Sequence, residues 1–546
     1  MFKNTDNNRT RLAYITFICL LVISLIGCSS APNPSINEVG KSDSSEPQKG
    51  GTLTIAEVEE PDTLDPHKTS MGTGNIISGY MGGSLFTFDP FTNELQPYLA
   101  ESYTASEDGK TITFKIRTGV KFHDGTPLTA ATFKATYERA LAPETASPVA
   151  VQSLQGVKSI SAPDDTTLIF HLDQPTAPLF ALLTFDGYTQ PLSMDAIQKY
   201  GKEYGRNPVG IGPWKFESWK TGEAITMVRN EEFNWGFPYA ENKGAPRPDK
   251  LVIKFIKDNQ ILMAALDSGT IDIATLSGKE AKKYKNNDKF TIIEGTAPNM
   301  VELAMNLENE FLKDIHVRKA INLAINKEAI IQADLQGEGV PVHGPLPAMM
   351  FGYDPAVEQY GYKYNVEEAK KMLEASGWKE NAQGIREKDG KTLHLSLITY
   401  AASSGNQLIQ SMLKEIGIDV EIKMLEVAVS GEQASKGAFD LYLTAWGDVD
   451  PDMLYLLMHS SQMDGGLNYG RMNNKELDTL LEKGRTTMNM EERKKIYADI
   501  QKMGVEQAYK VPLYTQKIYR VVNNRVQGAK PNPMGKLSVY DMWIKQ

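Results

Sequence analysis

Histidines and carboxylates are the side chains best able to do chemistry in this chain, and their spacing argues against most of it. The seven histidines (67, 123, 171, 316, 343, 394 and 459) are scattered. None falls in a His-Glu-x-x-His pattern, which would put two imidazoles on one helical face around zinc. There is no Gly-x-x-x-x-Gly-Lys-Ser/Thr loop to cradle phosphate and no Gly-x-Ser-x-Gly elbow to expose a nucleophile. His123-Asp124 is an acid/base pair in sequence, but it sits at an Asp-Gly turn after a strand and reads as a surface corner. The run Asp448-Val449-Asp450-Pro451-Asp452 begins like a calcium loop and then fails. Met453 stands where the sixth-position glycine belongs, His459 where the closing glutamate belongs, and Pro451 where the chain must wrap the ion. Neither an enzyme, nor a resident metal, nor a cofactor is expected from these patterns.

The elements around these residues mix strands and helices. Gly51 to Ala56, Thr111 to Arg117, Thr167 to Asp173, Leu251 to Phe255 and Leu393 to Leu397 alternate or run apolar as half-buried strands do. Asn365 with Glu368 three residues on predicts a capped helix that ends before Gly377. Gln407 to Ile416 carries a helical stripe of Leu408, Met412 and Ile416, is stopped by Gly417, and is followed by the alternating strand Ile418 to Met424. With the Leu393 strand in front, this reads as a β-α-β unit of an α/β protein. Asp314 to Leu335 predicts one or two helices with Ile321, Ala324 and Ile325 inward. No fixed-period repeat is present. The Gly/Pro points at 210–213, 244–248 and 344–347 are the expected loops or crossings.

The N-terminus reads differently. Lys3, Arg9 and Arg11 precede an almost wholly apolar run from Leu12 to Gly27, which suits a secretory signal and is short for a spanning helix. Its end, Leu25-Ile26-Gly27-Cys28, resembles a bacterial lipobox. That resemblance implies cleavage after Gly27 and a diacylglycerol on Cys28, which holds the mature chain to the extracytoplasmic face of the cell membrane. Cys19 leaves with the signal, so no disulfide is available afterwards. Residues 28–49, rich in Ser, Pro, Asn and Lys, read as a flexible tether. No later run is long and apolar enough to span a bilayer. Formal net charge is −10 for the whole chain. A mildly acidic, mixed surface excludes nucleic acid as the main partner.

Four stretches resemble the family-5 extracellular solute-binding proteins, which bind oligopeptides, dipeptides or nickel for ABC importers. The first runs from Leu99 to Tyr103 and from Asp108 to Ala130. The second is Gly210 to Phe216 with Arg229-Asn230 and Phe233-Asn234-Trp235. The third is Asp314 to Glu328, and the fourth Trp446 to Asp452 with Asn468-Tyr469 and Asn474 to Leu481. They keep the family's order over nearly the whole mature chain. The resemblance implies a type II periplasmic-binding-protein-like fold of two lobes and a hinge, plus an inserted third domain. By that analogy residues 50–85, 216–296 and 521–546 build lobe I, 86–215 the inserted domain, and 297–520 lobe II.

It also implies a site. Peptide-binding relatives answer the ligand's α-ammonium with an aspartate shortly after a Trp-containing strand. Asp448, two residues after Trp446, matches best, and Asp450 is the second choice because the spacing to the proline is one residue shorter than in the dipeptide-binding pattern. Trp446 would wall the cleft, and Tyr469 and Asn468 would line its rim. Trp214 and Trp235 are expected to pack near the crossover. Arg318 and Arg471 are open candidates for the ligand's carboxylate. The partners implied are a short peptide, the permease subunits of the importer and the membrane through the lipid anchor, with the protein a monomer. A nickel chelate (His459 being the one histidine near the acidic run), a glutathione-like peptide, a sugar, or a role as a peptide-signal receptor remain alternatives.

Overall fold

The computed structural model describes residues 46–546 apart from 93, 151, 155, 185, 449 and 531–536. The signal, Cys19, Cys28 and the tether as far as residue 45 lie outside the described residues. Residues Pro47–Gln546 form one unit. Among the described residues no helix is long and apolar enough to cross a membrane.

Two long strands organise the molecule. Phe290–Met305 and Lys510–Asn523 pair antiparallel from Phe290↔Asn523 to Ala304↔Lys510. Their register breaks between Thr296 and Met300 and again between Val301 and Glu302. Pro298 lies in the first break, where a residue without an N–H cannot continue the ladder. Below the break, the sheet continues through Ile273–Leu276, Thr52–Glu57, Lys250–Phe255, Ala224–Arg229 and Trp214–Lys220. Above it, Leu441–Gly447, His394–Thr399 and Asp419–Met424 follow. One sheet thus runs through two lobes, with a gap in its central pairing where it passes between them. A type II two-lobed α/β fold is the result.

Local chemistry explains the elements. The expected β-α-β unit is present: His394–Thr399 and Asp419–Met424 pair parallel across the helix Ser404–Glu415. Gly417 turns the corner at φ +87°, and a Cβ there would come within 2.7 Å of Arg386. The Asp314 to Leu335 segment is two helices, Ile315–Ala324 and Lys327–Leu335. Ile325 closes the first and Asn326 caps the second, its side chain accepting from the Ala329 N–H, an arrangement worth about 1 kcal/mol. Asn365 caps Val366–Ala375 through the Glu368 N–H, as its spacing predicts.

A separate four-stranded antiparallel sheet, in the order Ala100–Ala105, Thr111–Ile116, Thr167–Leu172, Val157–Ser161, forms with helix Ala130–Leu141 the inserted part. Its core joins Phe86, Phe114, Phe133, Phe170 and Phe180, and also takes in Phe233, Trp235, Phe237 and Tyr540 from outside the 86–215 span.

Two histidines, His67 buried and His123 half-buried, tie this part to lobe I. Arg139 grips Asp65 with two bonds, at 2.6 and 3.0 Å, and donates to His67 Nδ1 at 2.8 Å. His67 is wholly buried and its Nε2 finds no partner among the described residues. His123 accepts from the Gly210 N–H at Nδ1 and donates from Nε2 to the Gly212 carbonyl at 2.9 Å. Those glycines are needed: a Cβ on Gly210 would meet the Met81 carbonyl at 1.9 Å. The His123-Asp124 corner is therefore structural, with Asp124 accepting from Thr126 and Ser193 hydroxyls.

Burial, with Arg139 beside it, holds His67 down at about 3, and burial holds His123 down at about 4, both from 6.5. The unfolded chain therefore takes up these protons first. Stability from both groups is complete above pH 6.5 and declines as pH falls through 6.5 toward 4 and 3, by about 1.4 kcal/mol per unit for each histidine. Thermal unfolding scans from pH 7.5 to 4 should show this decline, and His123→Gln should reduce its slope. A flat midpoint across that range would contradict the assignment.

Candidate functional site

Strand directions locate the site. Gly447 lies opposite Asn299 at the break, so the C-terminal end of Leu441–Gly447 points there. His394–Thr399 runs parallel to it, and Asp419–Met424 parallel to that. On the other side, Leu276 pairs with Tyr519 near the break, and Thr52–Glu57 and Lys250–Phe255 run parallel with Ile273–Leu276. The carboxyl ends of both lobes' parallel strands therefore face each other across the interruption. Open α/β sheets bind ligands in the crevice outside such strand ends. Apolar side chains follow several of these ends and stand in water: Val58 and Ile261 on lobe I, Met424 and Val427 on lobe II.

A cleft of about 350 Å³ opens between the lobes. Lobe I and the inserted part contribute aromatic surface, including Tyr80, Phe88, Trp214, Phe237 and Tyr239. Lobe II contributes Met349, Met350 and Asp448. A second cavity of about 240 Å³ lies on lobe II, over the face of its strands, and reaches Gly447 at the same rim. Its walls include Trp446, Leu457, Tyr469 and Tyr509, and at its inner end are Glu302 and Lys510.

The acidic run divides into three roles. Asp448, half-buried, follows the strand end and stands on the cleft wall, its Oδ1 accepting the Asp450 N–H at 3.3 Å. Asp450 is buried and faces the interior. Arg493, 1% exposed, from helix Met490–Glu506, meets both of its oxygens at 2.5 and 2.7 Å. Burial works to lower the Arg493 pKa, and the Asp450 carboxylate beside it holds the guanidinium above its usual range. Asp452 is paired with Arg485 at 2.8 Å, burial pushing its carboxyl up while Arg485 pulls it down. Asp450, the second-choice ligand residue, is thus occupied by Arg493 rather than turned to the cleft.

Trp446 does two things. It walls the smaller cavity, and its Nε1 donates to Glu302 Oε2 at 3.0 Å. Tyr469 lines the same cavity, edge-on to Tyr442 at 5.7 Å, and burial raises its hydroxyl pKa. Asn468 does not share that rim. It is fully buried and staples its own loop, donating to the His459 and Met472 carbonyls and accepting from the Met472 N–H. Neither arginine candidate faces the cleft with donors to spare. Arg318 gives its N–H groups to the carbonyls of Leu312, Lys313 and Gln507, and Arg471 pairs with Glu308 and Asp464. Trp214 is wholly buried in the lobe I core with Leu53, Ile225 and Leu251, beneath the cleft wall.

Sequence reasoning missed the Glu302–Lys510 pair. Its signal was available: Glu302 interrupts the apolar strand Met300 to Met305, and a charge there demands a partner. The partner is 208 residues away and invisible to local spacing. A group of Glu57, Tyr80 and Arg520 at the lobe I strand ends was missed likewise. Burial raises Glu57 while Arg520 lowers it, and burial raises Tyr80. Among the described residues no cluster of three or more His, Cys, Asp or Glu side chains could hold a metal ion.

The model of the bacterial extracellular solute-binding proteins, family 5 Middle, matches residues 94–467. The chain belongs to this family. The oligopeptide-binding protein AppA of Bacillus subtilis (strain 168) is 28% identical over 555 residues, spanning 98% of each chain. The solved structure of that AppA in complex with a nonapeptide matches with a TM-score of 0.66 at 27% identity, over 92% of this chain and all of that one. The structure of HbpA2 from Haemophilus parasuis matches with a TM-score of 0.82 at 23% identity, over 91% of this chain and all of that one, a likeness of fold. AppA is named as a binding protein rather than an enzyme. In this chain the facing strand ends border the cleft between the lobes.

Proposed function

We propose that this family-5 protein captures short peptides in the interlobe cleft and delivers them to the permease subunits of an ABC importer. The observation that carries the reading is Asp448, set at the C-terminal end of a central strand on the wall of that cleft. A carboxylate there answers an α-ammonium. The edge of the Trp446 strand can pair with an extended backbone, and the aromatic walls supply sequence-tolerant apolar contact. AppA, similar over nearly the full length, is named for oligopeptides and was solved with one. A lipid on Cys28 and the 28–49 tether would keep a monomer beside its transporter on the extracytoplasmic side of the membrane. Nickel is less well served. His459 is stacked on Tyr455 at 4.3 Å and bonded to Ser461 and Glu482, so it is engaged away from both cavities.

Native mass spectrometry of the mature chain, purified in detergent with its anchor, tests the proposal. A ladder of short peptide masses released from the protein is the expected result. A co-purifying metal chelate or sugar in place of peptides would sink it. The mass of the chain itself reports the anchor: loss of residues 1–27 and addition of a diacylglycerol at Cys28.

A further inference from the structure

The smaller cavity contains a feature that binding a generic apolar side chain does not require. Glu302 and Lys510 are 2% and 5% exposed at its inner end. Register explains their meeting. Lys510 pairs with Ala304 and Glu302 with Pro512, so the two are diagonal neighbours on one face of the sheet, with Nζ 2.7 Å from Oε1. The other oxygen of Glu302 takes the Trp446 Nε1–H. Among the described residues the Lys510 ammonium finds this single acceptor, although it carries three donors. A buried ion pair is generally no more stabilising than well-packed apolar residues of the same volume. Here it also carries unused hydrogen-bonding capacity that faces an open cavity of about 240 Å³. The walls between that end and the rim are apolar and aromatic: Met453, Leu457, Leu467, Met472 and Tyr509.

The geometry points to a side-chain pocket for a group with an apolar or aromatic body and a neutral hydrogen-bonding tip, of which a tyrosine phenol is the best-fitting natural example. The inference rests on the peptide reading above. The pocket shares the 441–447 strand with the site at Asp448, since Thr444, Ala445, Trp446 and Gly447 all line it. A peptide whose ammonium meets Asp448 and whose backbone follows that strand would place one of its side chains over the opening. The body of that side chain displaces water from the apolar walls. Its hydroxyl accepts from Lys510 and can donate to Glu302, so the paired charges stay paired. A cationic tip would meet the Lys510 ammonium. A purely apolar tip would strip water from that ammonium and return no bond, which is costly for a charged group.

Isothermal titration calorimetry of the mature chain with Ala-based tripeptides, carrying Phe or Tyr at each position in turn, tests this. Tyr should bind about 10-fold more tightly than Phe at one position and no differently at the others, the scale expected of a hydrogen bond to a charged group. In the double variant Glu302→Gln/Lys510→Met, which leaves no orphan charge, the Tyr-to-Phe ratio at that position should fall to about one. Should that variant fail to fold by circular dichroism, the panel on the unsubstituted chain decides alone. Equal binding of Phe and Tyr everywhere, or a preference that survives the double substitution, overturns the pocket and leaves the peptide reading standing. If no tripeptide binds, Ala-Ala-Ala included, the peptide reading fails and the pocket falls with it.

Discussion

Asp448→Asn should weaken the binding of free-amine peptides by roughly 100- to 4000-fold while leaving the fold intact. Asn is isosteric, so the cleft keeps its shape and the loop keeps an acceptor for the Asp450 N–H. What is lost is the charge. An α-ammonium enclosed by the aromatic wall of lobe I gives up its water, and only an ionised partner offsets that. Breaking a desolvated ion pair by removing one member typically costs about 3–5 kcal/mol, which converts to the affinity range above at about 1.4 kcal/mol per decade. The control is the ligand. N-acetylated peptides have no ammonium to lose, so the substitution should scarcely alter their already weak binding. Calorimetry on the four combinations gives the coupling directly. Unchanged affinity for free-amine peptides in Asp448→Asn would mean that the ammonium is held elsewhere.

The second large effect lies two residues away and concerns stability. Asp450→Asn should destabilise the protein by about 3–5 kcal/mol, because Arg493, 1% exposed, keeps its charge and loses its counter-charge. The companion substitution is informative. Asp450→Asn with Arg493→Met removes both charges and should recover most of the loss, since apolar replacements of buried ion pairs are often neutral. Urea midpoints of the single and double variants would show it. An Asp450→Asn protein with an unshifted midpoint would show that the pair does not hold lobe II together. Opposite phenotypes from two aspartates in one five-residue run, one in affinity and one in stability, would separate the roles the structure gives them.

Much of the fold was legible because it is local. The alternation in Thr111 to Arg117, the stripe ending at Gly417 and the cap at Asn365 each depend on neighbours a few residues apart, and each element is present. The Asp314 to Leu335 helices could be seen but not divided, because the break at Ile325-Asn326 leaves the apolar pattern undisturbed. The long-range sheet was not readable from pattern. Nothing local in Thr52–Glu57 says that it lies in the same sheet as Lys510–Asn523, and only the family resemblance anticipated a discontinuous lobe. The candidate site divides in the same way. Asp448 could be picked out from its position just after a strand, and Trp446 from its place near that strand's end. Asp450 stood as a candidate, second to Asp448, because its partner, Arg493, comes from a helix 43 residues later. Asn468 looked like a rim residue through adjacency to Tyr469, yet the chain turns there, the Arg471 N–H donating to the Asn468 carbonyl, and Asn468 points inward.

The interruption at Thr296 to Met300 gives the long strands the character of a creased sheet. On either side of the crease the two strands stay paired, with a single further register shift between Val301 and Glu302, so each lobe can swing as a stiff plate while few hydrogen bonds change. Bending stiffness is then set by a handful of backbone torsions. On the proposed peptide reading, the free energy that decides between open and shut comes from elsewhere: the guest at Asp448, and the apolar strand-end side chains Val58, Ile261, Met424 and Val427, which now stand in water. A protein built this way is tuned at its lips rather than at its fold. Substitutions among those four side chains would shift how readily the empty molecule shuts without touching the ligand, and so set how often a transporter meets a closed but unloaded carrier.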